Sequence, residues 1–219
     1  MGILRLEETL VTHVLLVRHA QAFPSEGGGD EDGSRASAVL TETGQLQARD
    51  IAARLSGLAL RRLLSSPHQR ALETAGCIAR VQRIDVEVRG ELAEQDRGPL
   101  LSATKSTDIE HLFPAEWRGW QSGDPEYAPP GGESTGAFLS RVEAFLREAA
   151  NEPGPIVAVT HFGFIQGAVC TALGVPFRFR LPLDIGEASI THLHLTNGER
   201  VLVTFNDLSH CKTLPEQIR

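Results

Sequence analysis

The run Val11–Val17 (VTHVLLV) is short, mostly apolar and rich in β-branched side chains. Such a run gains most from being covered, so it reads as a buried strand. Ile156–Thr160 (IVAVT) reads as another, Arg61–Ser65 can form a short strand, and Ile84–Val88 alternates as a strand does. Helical signals lie between them. Thr41 or Thr43 can cap a helix that runs to Leu55, with Gly57 stopping it. Pro67 takes a first-turn position for a helix from His68 to about Arg80. Glu133–Ala150 is amphipathic, and Gly163–Leu173 ends at Gly174. Ala188–Thr196 and Arg200–Phe205, joined by Asn-Gly-Glu, read as a hairpin. Strands that alternate with helices imply an α/β sandwich with a mostly parallel sheet.

The 219 residues, 41% of them hydrophobic, suffice for one sizeable core and suggest a single domain over residues 1–219. Leu100 to about Pro130, with Trp117, Trp120 and several prolines, looks irregular and reads as an insertion. The formal net charge of −7 argues against nucleic acid as the main partner, although a few arginines can still build a local anion pocket. Three scattered cysteines, Cys77, Cys170 and Cys211, fit neither a disulfide framework nor a metal spacing, which favours a reducing compartment. No run reaches membrane-spanning length. The expectation is a cytoplasmic protein.

Ligands of an open α/β sheet bind beyond the carboxyl ends of the strands. Arg18-His19 stands at one such end and His161 at another. Ser65-Ser66 ends a third strand, with Arg70 one turn into the helix that follows. An imidazole can act as a nucleophile toward phosphorus, and guanidinium groups fit phosphate oxygens bidentately. Two arginines and a second histidine around one nucleophilic histidine would form a site for a phosphoryl group. His192 and His194, two residues apart on a strand, share a face, but a metal would want a third ligand and the sequence points to none, so they read as a solvated face. The acids Glu26, Asp30, Glu31 and Asp32 fall in a glycine-rich stretch, Ser25–Ser37, that reads as a loop.

Six motifs in order carry a family resemblance: LLVRHAQA, LTETGQLQA, SSPHQRALETA, LAEQDRG, PGGES and VTHFGFI, followed by FNDLSH near the end. From about Thr12 to His210 the chain resembles the histidine phosphatase superfamily, also called phosphoglycerate mutase-like. The resemblance implies a three-layer α/β/α sandwich with a mostly parallel central sheet. It also implies that His19 is the nucleophile that becomes phosphohistidine. Arg18, Arg70 and His161 would hold the phosphoryl oxygens, and Glu94 would be the general acid and then the base. Glu91 competes for that role, but Glu94 has the family spacing to Gly98. Gln21, Ser25 and Phe162 would contribute to substrate binding.

The chain departs from the family pattern at several positions. Ala20 stands for the signature glycine, Gln21 and Ala22 for Glu/Gln and Thr/Ser, Ser25 for the asparagine of mutase-like members, and Phe162 for a common glycine. The implied activity is a phosphomonoesterase, a hydrolase that needs no cofactor and no metal. The alternatives are a phosphoglycerate mutase-type phosphoryl transfer and a non-catalytic phospho-ligand binder. The implied partner is a small phosphorylated substrate, with a homodimer compatible and neither nucleic acid nor membrane expected.

Overall fold

Chain segments that cannot hydrogen-bond to water must pair with one another, and the apolar runs do so in one sheet. The computed structural model describes residues 11–23, 37–99, 108–177 and 183–212. Six strands, β1 (Thr12–Arg18), β2 (Arg62–Ser65), β3 (Val86–Val88), β4 (Ile156–Thr160), β5 (Ile190–Leu195) and β6 (Arg200–Asp207), lie in the order β3-β2-β4-β1-β5-β6. The pairs β3-β2, β2-β4 and β4-β1 are parallel, whereas β5 and β6 add an antiparallel hairpin along the free side of β1. β4 is central and every one of its five residues is buried, as the apolar run Ile156–Val159 demands.

Helices cover both faces, which makes three layers. On one face α1 (Glu42–Leu55) and α2 (Gln69–Gln82) pack Ala48, Ile51, Ala75 and Ile78 over Val17, Leu63, Val157 and Val159. On the other, α5 (Thr135–Ala149) and α6 (Phe162–Leu173) pack Phe138, Val142, Phe145 and Phe164 over Val14, Leu16, Leu64 and Ala158. Each valine, leucine, isoleucine or phenylalanine side chain among these, taken from water, contributes about 1.5–3 kcal/mol before chain entropy is charged against it.

Local chemistry sets the helix ends. Of the two threonines, Thr41 is the cap of α1: its hydroxyl accepts the Gly44 N–H at 2.9 Å. Ser134 caps α5 by accepting the Ala137 N–H at 3.1 Å. Gly174 closes α6 in the left-handed region, with φ 64°. Pro67 is not in the first turn. His68 is the N-cap of α2, and Pro67 precedes it, which biases Ser66 to extended backbone at the strand exit. The stretch 108–130 is more ordered than its sequence suggests. Two short helices, α3 (Ile109–Leu112) and α4 (Pro114–Gln121), bring Ile109 and Trp120 into a small cluster with Phe113, Trp117 and Tyr127. Pro114 starts α4, where its fixed φ and missing N–H cost nothing. Among the described residues no helix is long and apolar enough to cross a membrane.

Candidate active site

The loop after β1 leads to α1 on one face, while β4 leads directly to α6 on the other. A crevice opens between two adjacent parallel strands where the connections part in this way. Arg18-His19 and His161 flank it. The backbone there is pinned by the sheet itself: His19 N–H donates to Thr160 O at 2.9 Å, Ala188 N–H to His19 O at 3.2 Å, and Ser66 N–H to Val159 O at 2.9 Å. A third strand exit, that of β2, delivers Arg70 from the first turn of α2.

Arg70 joins the histidines. Its Nε donates to His19 Nε2 at 3.0 Å, and its Nη2 donates to His161 Nδ1 at 3.1 Å and to His68 Nδ1 at 3.2 Å. A guanidinium has no acceptor, so each of these ring nitrogens carries a lone pair. The proton of His19 therefore sits on Nδ1, 2.8 Å from Ala20 O, and that of His161 on Nε2, 2.7 Å from Ser66 Oγ. Burial, and then the charges of Arg70 and Arg18, hold His19 well below the usual histidine range. Burial does the same for His161, reinforced by His19 and Arg70. The result is a neutral imidazole whose Nε2 lone pair faces a guanidinium, in a pocket where His161 is 0% and His19 8% exposed.

Arg18 supplies the opposite wall. Its Nη1 donates to Ile185 O at 2.6 Å, and its Cζ lies 5.6 Å from the centre of the Phe162 ring. Its Nε is buried with no acceptor among the described residues. A buried guanidinium N–H without a partner is uncommon and is explained most simply as a donor kept for a ligand oxygen. Burial lowers the Arg18 pKa while Glu187, Glu94 and Asp184 oppose the shift; an arginine stays charged nonetheless.

Glu94 reaches the site beside the first turn of α6, near enough for its charge to act on Arg18. Its Oε2 accepts the Gly163 N–H at 3.2 Å in the first turn of α6, and its Oε1 accepts the Gln95 N–H at 2.9 Å. A Cβ on Gly163 would lie 2.3 Å from Glu94 Oε1, so the close approach of carboxylate and helix requires glycine. Glu91 does something else: it pairs with Arg89 at the surface. The segment that carries Glu94 is braced by Arg141 of α5, which donates to Glu91 O at 2.6 Å, Ala93 O at 2.8 Å and Glu94 O at 3.0 Å and pairs with Glu133 at 2.6 Å. Glu133 also accepts the Asp96 N–H at 2.9 Å.

Five of the sequence-derived residues, Arg18, His19, Arg70, Glu94 and His161, thus meet around one crevice, and the Phe162 ring backs Arg18. Gln21 is engaged elsewhere, since its Oε1 accepts the Thr41 hydroxyl at 2.8 Å and ties the site loop to the cap of α1. Ser25 lies outside the described residues, as do Glu26, Asp30, Glu31 and Asp32. The sequence reading missed the supports. Ser66 and Thr74 lie inside a quoted motif but carried no assigned role; Thr74 Oγ1 accepts the Ala20 N–H at 3.1 Å and donates to Arg70 O at 2.7 Å. Arg141 gave no signal at all, because an arginine on an amphipathic helix looks like any solvated one.

Two expected outcomes arise here. Gly163→Ala is expected to push the flexible end of Glu94 aside by roughly 1 Å and to lower turnover about a hundredfold, with the melting temperature nearly unchanged. Steady-state kinetics together with thermal melts check this. The second concerns pH. His19 and His161 have folded pKa values below the unfolded value of about 6.5, so below that pH the unfolded chain binds protons that the native chain refuses. Stability is full above pH 6.5 and declines as pH falls from there. The carboxylates Glu87, Glu143 and Glu148, held low by their arginine partners, add their loss only below about pH 4.5. Melts between pH 7.5 and 5 should show this slope, flattened in His161→Asn; a slope identical in that variant would remove His161 from the account.

Comparison with known proteins shows the family. The family model of the histidine phosphatase superfamily (branch 1) matches residues 14–208. Phosphoserine phosphatase 1 of Hydrogenobacter thermophilus is 27% identical over 90% of this chain and 93% of its own. The probable phosphoglycerate mutase GpmB of Proteus mirabilis is 30% identical over 90% and 94%. Among solved structures, mycobacterial glucosyl-3-phosphoglycerate phosphatase with inorganic phosphate superposes with a TM-score of 0.72 at 25% identity, covering 90% of this chain and 98% of that one. With the family model matched over residues 14–208, the chain belongs to the histidine phosphatase superfamily, branch 1.

Proposed function

We propose that this protein is a phosphomonoesterase that hydrolyses a small phosphorylated substrate through a covalent phosphohistidine at His19. The observation that carries the reading is the neutral His19 imidazole with its Nε2 lone pair held by the buried Arg70 guanidinium and the charge of Arg18 close by. A phosphoryl dianion entering the crevice takes the Arg70 N–H groups and the unpartnered Arg18 Nε, which frees Nε2 for in-line attack. The same dianion opposes the burial and the neighbouring charges that keep His161 neutral, so this imidazole can take a proton and donate to the phosphoryl group as well. The arginines are already in place, so little reorganisation is needed as charge develops. Glu94 gives its proton to the leaving oxygen, then takes one from the water that cleaves the phosphorus–nitrogen bond.

The donors around His19 are guanidinium and imidazole groups rather than a carboxylate cluster, so the reaction proceeds without a divalent ion. Full activity after EDTA treatment is the expected result, and activity restored only by magnesium would contradict it. The direct test is a rapid quench with a 32P-labelled phosphomonoester. An acid-labile, base-stable label on histidine that decays with release of inorganic phosphate supports the proposal. Transfer of the label to a second hydroxyl of the product instead of to water would favour a mutase, the activity in the name of the Proteus relative. Binding with no label on the protein would leave only a phospho-ligand binder.

A further inference from the structure

His192 and His194 find the third ligand that the sequence did not reveal. Pairing of β1 with β5 places His13 directly opposite His194 and one diagonal step from His192, all on the face of the sheet that α1 covers further along. The three rings converge: centroids are 4.3 Å apart for His13 and His194, 4.8 Å for His192 and His194, and 5.2 Å for His13 and His192. One ligand nitrogen from each lies within 4.8 Å of the other two, and His13 Nδ1 is 3.2 Å from His192 Nε2. Two imidazoles can share that contact as a hydrogen bond; the third, His194, makes no side-chain hydrogen bond among the described residues.

We propose that His13, His192 and His194 form a binding site for a divalent transition-metal ion of the zinc class. A tetrahedral ion with bonds of 2.0–2.1 Å spaces its ligand nitrogens about 3.4 Å apart. One pair already has that spacing, and small rotations about the side-chain bonds bring in the third. Three imidazoles and an open fourth position suit zinc, nickel, cobalt or copper rather than magnesium or calcium, which want oxygen. The site is accessible, since His13 is exposed and the other two are half-buried. His192 also lines a cavity of about 380 Å³ beside the end of α1, walled by Leu15, Leu58, Arg54 and Asp207, which gives solvent a way in.

The site lies at the start of β1. His13 and His19 are six residues apart on an extended chain, which at about 3.3 Å per residue puts the ion roughly 20 Å from the nucleophile. It therefore clamps β1 to the antiparallel hairpin and takes no part in the phosphoryl chemistry. This inference does not rest on the proposed function.

The test uses the tag-free full chain, stripped with EDTA and then freed of the chelator. Zn2+ titrated calorimetrically should bind at one site, and the melting temperature should rise by about 3 °C at saturating ion. His13→Ala and His194→Ala should each weaken the affinity at least tenfold and abolish the thermal shift. Both variants keep His19, His68 and His161, and they should hydrolyse p-nitrophenyl phosphate at the rate of the parent protein. Loss of binding in both variants supports the site. Zn2+ binding of equal affinity in the parent and in the His13→Ala/His194→Ala double variant, or no thermal shift in the parent, overturns it.

Discussion

His19→Ala is expected to lower kcat/KM for any phosphomonoester by at least about a thousandfold while the protein still folds. Arg70 holds a lone pair on each of three imidazoles, those of His19, His161 and His68, and the one on His19 Nε2 is the one proposed to attack. His161 is completely buried, and its Nδ1 and Nε2 are committed to Arg70 and Ser66. The fold survives because the backbone of residue 19 is held by Thr160 and Ala188 whatever the side chain. A void between Arg18 and Arg70 should even favour an added anion, so His19→Ala can retain inorganic phosphate affinity while losing turnover. Rapid-quench labelling should find no phosphoenzyme. If the variant keeps more than a tenth of the parent rate, the nucleophile is another residue and the mechanism above is wrong.

Glu94→Gln is expected to separate the two halves of the proposed reaction. The amide keeps the shape and can still meet the Gly163 N–H, but it can neither give nor take a proton. With an alkyl phosphate the leaving alkoxide needs that proton, and general-acid loss costs about 10²–10⁴-fold. With p-nitrophenyl phosphate the leaving phenolate does not need it, so the first turnover should proceed as a burst near one equivalent of p-nitrophenol. The steady rate should then be slow, because the water that attacks phosphohistidine has lost its base. A burst with the aryl ester, none with the alkyl ester, and accumulation of labelled histidine is the expected pattern. Equal losses on both substrates with no burst would show that Glu94 serves only to hold the loop. Glu91→Gln serves as the control and should change little, since Glu91 pairs with Arg89 away from the crevice.

Much of this arrangement is written locally in the chain. A strand as apolar as Ile156–Val159 must be covered on both faces, so a central place in a sheet layered by helices follows from its composition alone. Thr41, Ser134 and Gly174 set helix ends because capping concerns only the nearest three or four residues. Arg18-His19, Ser66, Arg70 and His161 fall at strand ends, and strand ends of a parallel sheet share one edge, so their meeting could be anticipated without coordinates. Glu94 could be preferred to Glu91 only through its motif.

What required the tertiary structure has one physical origin: interactions between residues far apart in the chain leave no local signature. Arg141 reaches the carbonyls of residues 91, 93 and 94 because α5 packs beside them. Gly132 is glycine because residues 131–133 run against the segment 96–98, where a Cβ would come within 2.6 Å of Asp96 O. The order of helices in 108–130 depends on five aromatic and aliphatic side chains finding one another rather than on periodicity. His13 sits in a strand pattern in which its exposure reads as ordinary alternation, and only the register of β1 against β5, 181 residues further on at His194, turns three separate histidines into a cluster. Propensity and periodicity act over a few residues and so determined the elements and their ends; packing and strand register act across the whole chain and decided which side chains meet.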